Sequence, residues 1–139
     1  MILVERPPNF DQILKAFPDA DKPGVIFAYG DFIYNPSGNA IPGPLFAHEA
    51  VHQQRQQGPG KMSPEIWWQL YIEDNAFRYR EELLAHVAEY KAQTHGLDRN
   101  QKHKLLMSTA ARLTAPLYNY VPPRSLTQAI YDLKWEIDR

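Results

Sequence analysis

Residues 48–52 read His48-Glu49-Ala50-Val51-His52 and fit the pattern H-E-x-x-H. Residues four apart lie on the same face of a helix, so His48 and His52 can direct two imidazoles at one metal ion. Glu49 follows the first histidine, where its carboxylate can reach a water molecule at the metal without binding the metal itself. The pattern therefore predicts a helix that carries a catalytic metal centre.

The same five residues also suit an amphipathic helix with two surface histidines and no metal. The flanking sequence favours the metal site. An apolar segment, 44–47, leads directly into the motif, and a polar run continues it to Gly58, where a glycine predicts the end of the helix. Histidines on such a half-buried helix are more costly to leave unpaired than histidines in water.

A catalytic zinc ion usually has three protein ligands and one open position, so a third ligand must lie elsewhere in the chain. A third histidine close behind the motif is excluded, because Arg55 and Gly58 occupy the positions that this arrangement needs. A cysteine as third ligand is excluded as well, because the chain has no cysteine. The remaining common solution is a glutamate on a later helix.

Residues 75–94 supply that helix, because they contain no Pro or Gly and follow a capping residue, Asp74. One face is predicted to enter the core; it consists of Phe77, Leu84, Val87 and Ala88. An adjoining polar stripe consists of Glu82, His86, Glu89 and Gln93. Most polar stripes face solvent, but this one holds good metal ligands within one turn. From the residues alone, Glu82, His86 and Glu89 are all candidates for the third ligand.

Two motifs together carry a resemblance to a known family. HEAVH followed by Glu82-Leu83-Leu84-Ala85-His86 resembles the HExxH plus E-x-x-A-[DH] pairing of small gluzincin metallopeptidases, the minigluzincin-like domains found in phage and prophage proteins. The similarity extends over residues 24–132. It implies a zincin-like fold, Zn²⁺ as cofactor, Glu82 as the third ligand and a peptide or protein substrate. His86 stands where the family often has an acidic residue, either as a support for a ligand or as the ligand in place of Glu82.

The remaining pattern predicts a helix-dominated α+β fold with a short antiparallel sheet or hairpin before the motif helix, in a single domain, 1–139. Strands are predicted at 25–29 and 32–34 on either side of Gly30-Asp31. Further helices are predicted at 10–17, from 63, at 98–113 and from 125, each preceded by a capping residue; these are Asn9, Ser63, Asp98 and Ser125.

The predicted activity is zinc-dependent hydrolysis of peptide bonds, with Glu49 as general base. A second group must stabilise the oxyanion besides the metal, and Tyr118 is the candidate; the alternative is an aromatic residue whose hydroxyl faces water. The segment 25–34 offers an edge strand on which an extended peptide can pair by backbone hydrogen bonds.

Composition limits the partners. The net charge is −1 and the basic residues are dispersed, so no nucleic-acid partner is expected. No apolar run is long enough to span a membrane and the first residues do not form a signal peptide, so we expect a cytoplasmic protein. The oligomeric state is left open. Competing classes are a zinc-binding phage structural or assembly protein without turnover, a peptidoglycan-directed hydrolase and a DNA-associated protease; no wall-binding module and no basic extension is visible for the last two.

Overall fold

The computed structural model describes residues 1–57 and 60–139. Its strands are β1 (Ile2–Leu3), β2 (Phe27–Tyr29) and β3 (Phe32–Tyr34). Its helices are α1 (Phe10–Ala16), α2 (Gly43–Arg55), α3 (Pro64–Glu73), α4 (Asn75–Lys91), α5 (Arg99–Leu113) and α6 (Leu126–Asp138). The helix-dominated α+β class is confirmed. The glycine stop predicted at Gly58 lies outside the described residues.

The sheet has the strand order β1-β3-β2. The predicted hairpin is confirmed: β2 and β3 are antiparallel and meet at a turn where Gly30 has a φ of +61°, a conformation that glycine adopts without strain. A third strand was not predicted. β1 pairs parallel to β3, with the Ile33 amide donating to the Met1 carbonyl at 2.9 Å. The sheet is therefore mixed rather than purely antiparallel, and two paired residues are too few for a periodic signal in the sequence.

Four of the predicted helix caps are confirmed and one is wrong. The side chains of Ser63, Asp74, Asp98 and Ser125 each accept a hydrogen bond from a backbone amide in the first turn. Asn9 makes no such bond, because its backbone (φ −102°, ψ 26°) is not in the extended conformation usual for a cap.

Helix α4 packs along α2 and also contacts α3, α5 and α6. Its predicted core face was only partly right: Val87 is buried, but Phe77, Leu84 and Ala88 are only partly buried. Tyr79, Leu83 and Tyr90 enter the core cluster instead. A helix that is covered on several sides has no single apolar face, so a one-sided amphipathic pattern describes it poorly.

Two apolar clusters form the core. One joins α4, α5 and α6 around Leu113 and Leu133, both fully buried. The other joins α1, the hairpin and α3 around Ile13 and Trp67. Within the described residues, no helix is both long and apolar enough to cross a membrane.

Glutamines at the end of α2 attach the hairpin turn to this helix. The Gly30 carbonyl accepts from Gln53 Nε2 at 3.2 Å and from Gln57 Nε2 at 2.7 Å, while the Gly30 amide donates to Gln56 Oε1 at 2.8 Å. Arg55, the last residue of α2, donates through Nε to both carboxylate oxygens of Glu81 on α4 at 3.0 and 3.1 Å. These contacts fix α2 against β2 and against α4, the two elements that surround the motif.

Candidate metal centre

Helix α2 presents His48, Glu49 and His52 toward the interior. All three are buried, with 4%, 6% and 4% of their surface exposed. The predicted spacing holds, since the two imidazoles lie on one face with ring centroids 5.0 Å apart. Buried imidazoles need partners, and here the partners come from α4.

Glu82 meets both histidines. Its Oε1 lies 2.9 Å from His48 Nε2, and its Oε2 lies 2.9 Å from His52 Nε2. Neither contact has the alignment of a hydrogen bond. Oε2 does accept one from the Tyr71 hydroxyl at 2.8 Å. Two imidazole nitrogens and one carboxylate thus converge from two helices, which is the His₂Glu donor set of one class of catalytic zinc sites.

One unpaired buried atom faces the motif histidines. Among the described residues, Glu82 Oε1, which lies at His48 Nε2, is buried without a hydrogen-bond partner. Buried polar atoms are rarely left unpaired unless an ion, a ligand or water completes them. Two groups of residues place possible ligand atoms within 4.8 Å of one another: His48 with Glu49 and His52, and His48 with Glu82 and His86. The donor set fits a divalent ion such as Zn²⁺.

His86 and Glu89 also lie close to His48, and the ring centroids of His48 and His86 are 4.5 Å apart. His86 Nδ1 is 2.8 Å from the Glu82 carbonyl, and a carbonyl can only accept, so Nδ1 carries the proton. His86 Nε2 is 3.6 Å from Glu89 Oε2 and so faces Glu89. Glu89 Oε2 lies 3.5 Å from His48 Nδ1. Of the three candidates for the third ligand, Glu82 is thus the one that contacts both motif histidines.

The buried histidines and carboxylates of this site shift one another's pKa values. Burial alone lowers the pKa of His48, but the Glu82 carboxylate raises it to about 10. Burial alone raises the pKa of Glu82, yet His52 and His48 hold it well below its usual range. Burial raises the pKa of Glu49, opposed by the two histidines. The Glu82 carboxylate therefore favours a positive charge at His48.

A cavity of about 180 Å³ opens at these residues. Its walls include His48, Glu49, His52 and Glu82 at one side. Its other walls are mainly apolar, among them Ile13, Phe17, Val25, Ile26, Leu45 and Leu117. Among the described residues, no Lys, Arg or Asp lines it. The space beside the donor set therefore suits an apolar group.

Tyr118 lies in a turn of 3-10 helix, Pro116–Tyr118, and lines this cavity. Burial, followed by the charge of Glu82, raises its pKa well above the usual range, so the hydroxyl keeps its proton. The predicted residue is thus brought to the site in a state that can donate a hydrogen bond.

The predicted pairing of a peptide with the edge of the hairpin meets an obstacle at Ala28. Its carbonyl points away from β3 and accepts from Gln56 Nε2 at 3.1 Å and from Trp68 Nε1 at 3.0 Å. An extended peptide would have to displace these side chains to pair with that carbonyl. The free edge of β2 is already covered at this residue.

Sequence reasoning missed Tyr71 and the carboxylate next to Glu82. The Tyr71 hydroxyl on α3 donates to Glu82 Oε2 at 2.8 Å. Glu81, 1% exposed, accepts from Trp67 Nε1 at 2.7 Å and from Arg55. A tyrosine in an aromatic run carries no signal for such a role, because the partner lies on another helix.

No protein-family model, no curated protein and no solved structure matches this chain. Its function is therefore inferred from its own residues.

Proposed function

We propose that this chain is a zinc-dependent peptidase in which His48, His52 and Glu82 hold the metal ion. The observation that carries the proposal is the convergence of these three side chains, with Glu49 beside them, at the wall of an apolar cavity. Three protein ligands and adjacent space are typical of catalytic sites, whereas structural zinc sites are closed by four protein ligands. This difference favours an enzyme over a zinc-stabilised structural or assembly protein.

A bound zinc ion supplies Lewis acidity, which lowers the pKa of a coordinated water to about 7 and polarises a carbonyl group. Glu49 has a carboxylate oxygen within 4.8 Å of a ring nitrogen of both His48 and His52, so it would accept a proton from the attacking water and return it to the departing amine. The Tyr118 hydroxyl donates to the oxyanion that forms on the substrate carbonyl. Tyr71 keeps the Glu82 carboxylate in position.

The cavity indicates which substrates fit. Its volume of 180 Å³ exceeds the roughly 150 Å³ of a cavity that holds benzene, so one aromatic or large aliphatic side chain can enter. Its apolar walls disfavour a charged side chain, which would lose its hydration without a partner. We therefore infer a peptide with a large apolar residue next to the bond that is cleaved. A peptidoglycan stem peptide is the competing substrate, but its small and charged side chains fill this space poorly.

Metal content is the first test. Purified protein, stripped with a chelator and reloaded with Zn²⁺, should retain one ion per chain after desalting, and His48→Ala and His52→Ala should each lose it. Elemental analysis that also covers iron, cobalt and manganese identifies the ion that the protein prefers. A wild-type protein that retains no divalent metal would overturn the proposal.

Catalysis is tested separately with Glu49→Gln. This variant should bind zinc like the wild type but hydrolyse peptides about 10² to 10⁴ times more slowly, the usual loss for a general base. The substrates are fluorogenic peptides with Phe or Leu, or with Asp or Lys, at the variable position, and purified peptidoglycan is tested in parallel. Glu73→Gln, an exposed change on α3, is the matched control and should leave the rate unchanged. Equal rates for Glu49→Gln and wild type would exclude Glu49 as the base.

A further inference from the structure

The second ring nitrogen of His48 faces a different carboxylate from the first. Nε2 is directed at Glu82, whereas Nδ1 lies 3.5 Å from Glu89 Oε2. An imidazole that binds a metal through one nitrogen usually donates its other N–H to a carboxylate or a carbonyl, which fixes the ring and its tautomer. Glu89 is the carboxylate in that position for His48.

Arg112 on α5 holds Glu89 from the opposite side. Its Nε donates to Glu89 Oε1 at 3.1 Å, and its Nη2 donates to Thr109 Oγ1 at 3.2 Å. Glu89 therefore has one oxygen bound to the Arg112 guanidinium and the other turned toward His48.

His86 does not donate a hydrogen bond to this second oxygen of Glu89. Its Nδ1 lies 2.8 Å from the Glu82 carbonyl, which can only accept, so the neutral ring has its proton on Nδ1. The nitrogen that faces Glu89 Oε2, at 3.6 Å, then carries a lone pair and cannot donate. The N–H of His48 is the donor available to Glu89 Oε2 within this cluster.

We propose that Glu89 accepts a hydrogen bond from Nδ1 of His48 and so orients this imidazole for metal binding, and that Arg112 on α5 holds Glu89 in place for this contact. Glu89 acts as a positioning residue and not as a ligand. The inference rests on the proposed metal site. Position 86, which is often acidic in the family that the motifs resemble, holds a histidine here. The carboxylate next to the second nitrogen of His48 comes from Glu89, one turn further along α4.

The competing interpretation is an ion pair that only joins α4 to α5. The chain offers a matched control for it, because Arg80 and Glu136 form an ion pair of similar length, 2.8 Å, between α4 and α6. Glu136 is nearly as buried as Glu89, with 11% against 9% of its side chain exposed. Loss of either pair removes one link between helices, but only the Glu89 pair reaches the site.

The experiment measures zinc affinity by competition with a chromophoric chelator and the stability of the metal-free protein by urea unfolding. The variants are Glu89→Ala, Glu89→Gln, Arg112→Gln and Glu136→Gln. We expect Glu89→Ala to weaken zinc binding about 10- to 100-fold, the range for residues that support a ligand. Glu89→Gln should retain part of the affinity, because its amide oxygen still accepts from His48. Arg112→Gln should show a smaller loss, and Glu136→Gln should bind like the wild type.

Stability separates the two interpretations. If both Glu89 variants bind zinc like the wild type and lose only as much stability as Glu136→Gln, Glu89 does not orient His48 and the proposal is wrong. Should Glu89→Ala fail to fold, the nearly isosteric Glu89→Gln carries the test, with Co²⁺ absorption as a second readout of ligand geometry. Absence of zinc binding by the wild type would instead overturn the proposed metal site itself.

Discussion

Replacement of Glu82 by alanine should weaken zinc binding at the proposed site far more than replacement of His86 by alanine. Both residues lie on α4 near His48, and both occur in a group with possible ligand atoms. They differ in what they contact. The Glu82 carboxylate lies 2.9 Å from each motif histidine, whereas the protonated nitrogen of His86 is bound to a backbone carbonyl.

The size of the effect follows from the number of ligands. Zinc sites with four protein ligands bind with about 10 to 16 kcal/mol, so one ligand accounts for about 2.5 to 4 kcal/mol, roughly a 10²- to 10³-fold change in affinity. Glu82→Ala should lose this amount. His86→Ala removes a support for the Glu82 backbone rather than a donor, so its loss should stay below about tenfold, the lower limit for residues that directly support a ligand.

The assay is competition with a chromophoric zinc chelator, with circular dichroism to confirm that each metal-free variant is folded. Glu82→Gln is the control for shape, because it keeps the side-chain volume and one oxygen but not the charge, and it should fall between wild type and Glu82→Ala. A Glu82→Ala protein that binds zinc within tenfold of the wild type, together with a larger loss in His86→Ala, would refute this reasoning. It would point to a site of three histidines.

Three further outcomes are expected. Tyr118→Phe should lower kcat for peptide hydrolysis about 10²- to 10³-fold with unchanged zinc content, as for loss of one oxyanion donor, and an unchanged kcat would remove Tyr118 from the mechanism. Zinc binding should release about one proton at pH 7.5, because His48, with its pKa raised to about 10, is protonated in the metal-free protein and must be neutral as a ligand. The apparent affinity for zinc should therefore rise about tenfold per pH unit from pH 7 to 9. Calorimetry in two buffers of different ionisation enthalpy measures the number of protons released. A zinc affinity that does not change with pH would contradict this prediction. Leu133→Ala, in the core of α4, α5 and α6, should lower the free energy of unfolding by about 2 to 5 kcal/mol with little change in the zinc affinity of the folded protein, as measured by urea unfolding and chelator competition; a large loss of affinity would show that this core and the site are coupled.

Local chemistry was well predicted from the sequence. His48 and His52 share a face because the helical repeat places residues four apart together, whatever surrounds the helix. Ser63, Asp74, Asp98 and Ser125 cap their helices because a side-chain oxygen reaches an amide only a few residues away. The hairpin around Gly30 is equally local. Each of these features depends on neighbours along the chain.

The partners across helices were decided only by the tertiary structure. Glu82, His86 and Glu89 are all plausible ligands on one stripe, and the packing of α4 along α2 decides that Glu82 meets both histidines while Glu89 lies behind His48. The same packing brings the Tyr71 hydroxyl to Glu82 and covers α4 on several sides. Periodicity records which residues share a face of one helix, but it holds no information about the angle and register at which a second helix crosses it. Those two quantities set the distances between side chains, and with them which side chains converge at this site.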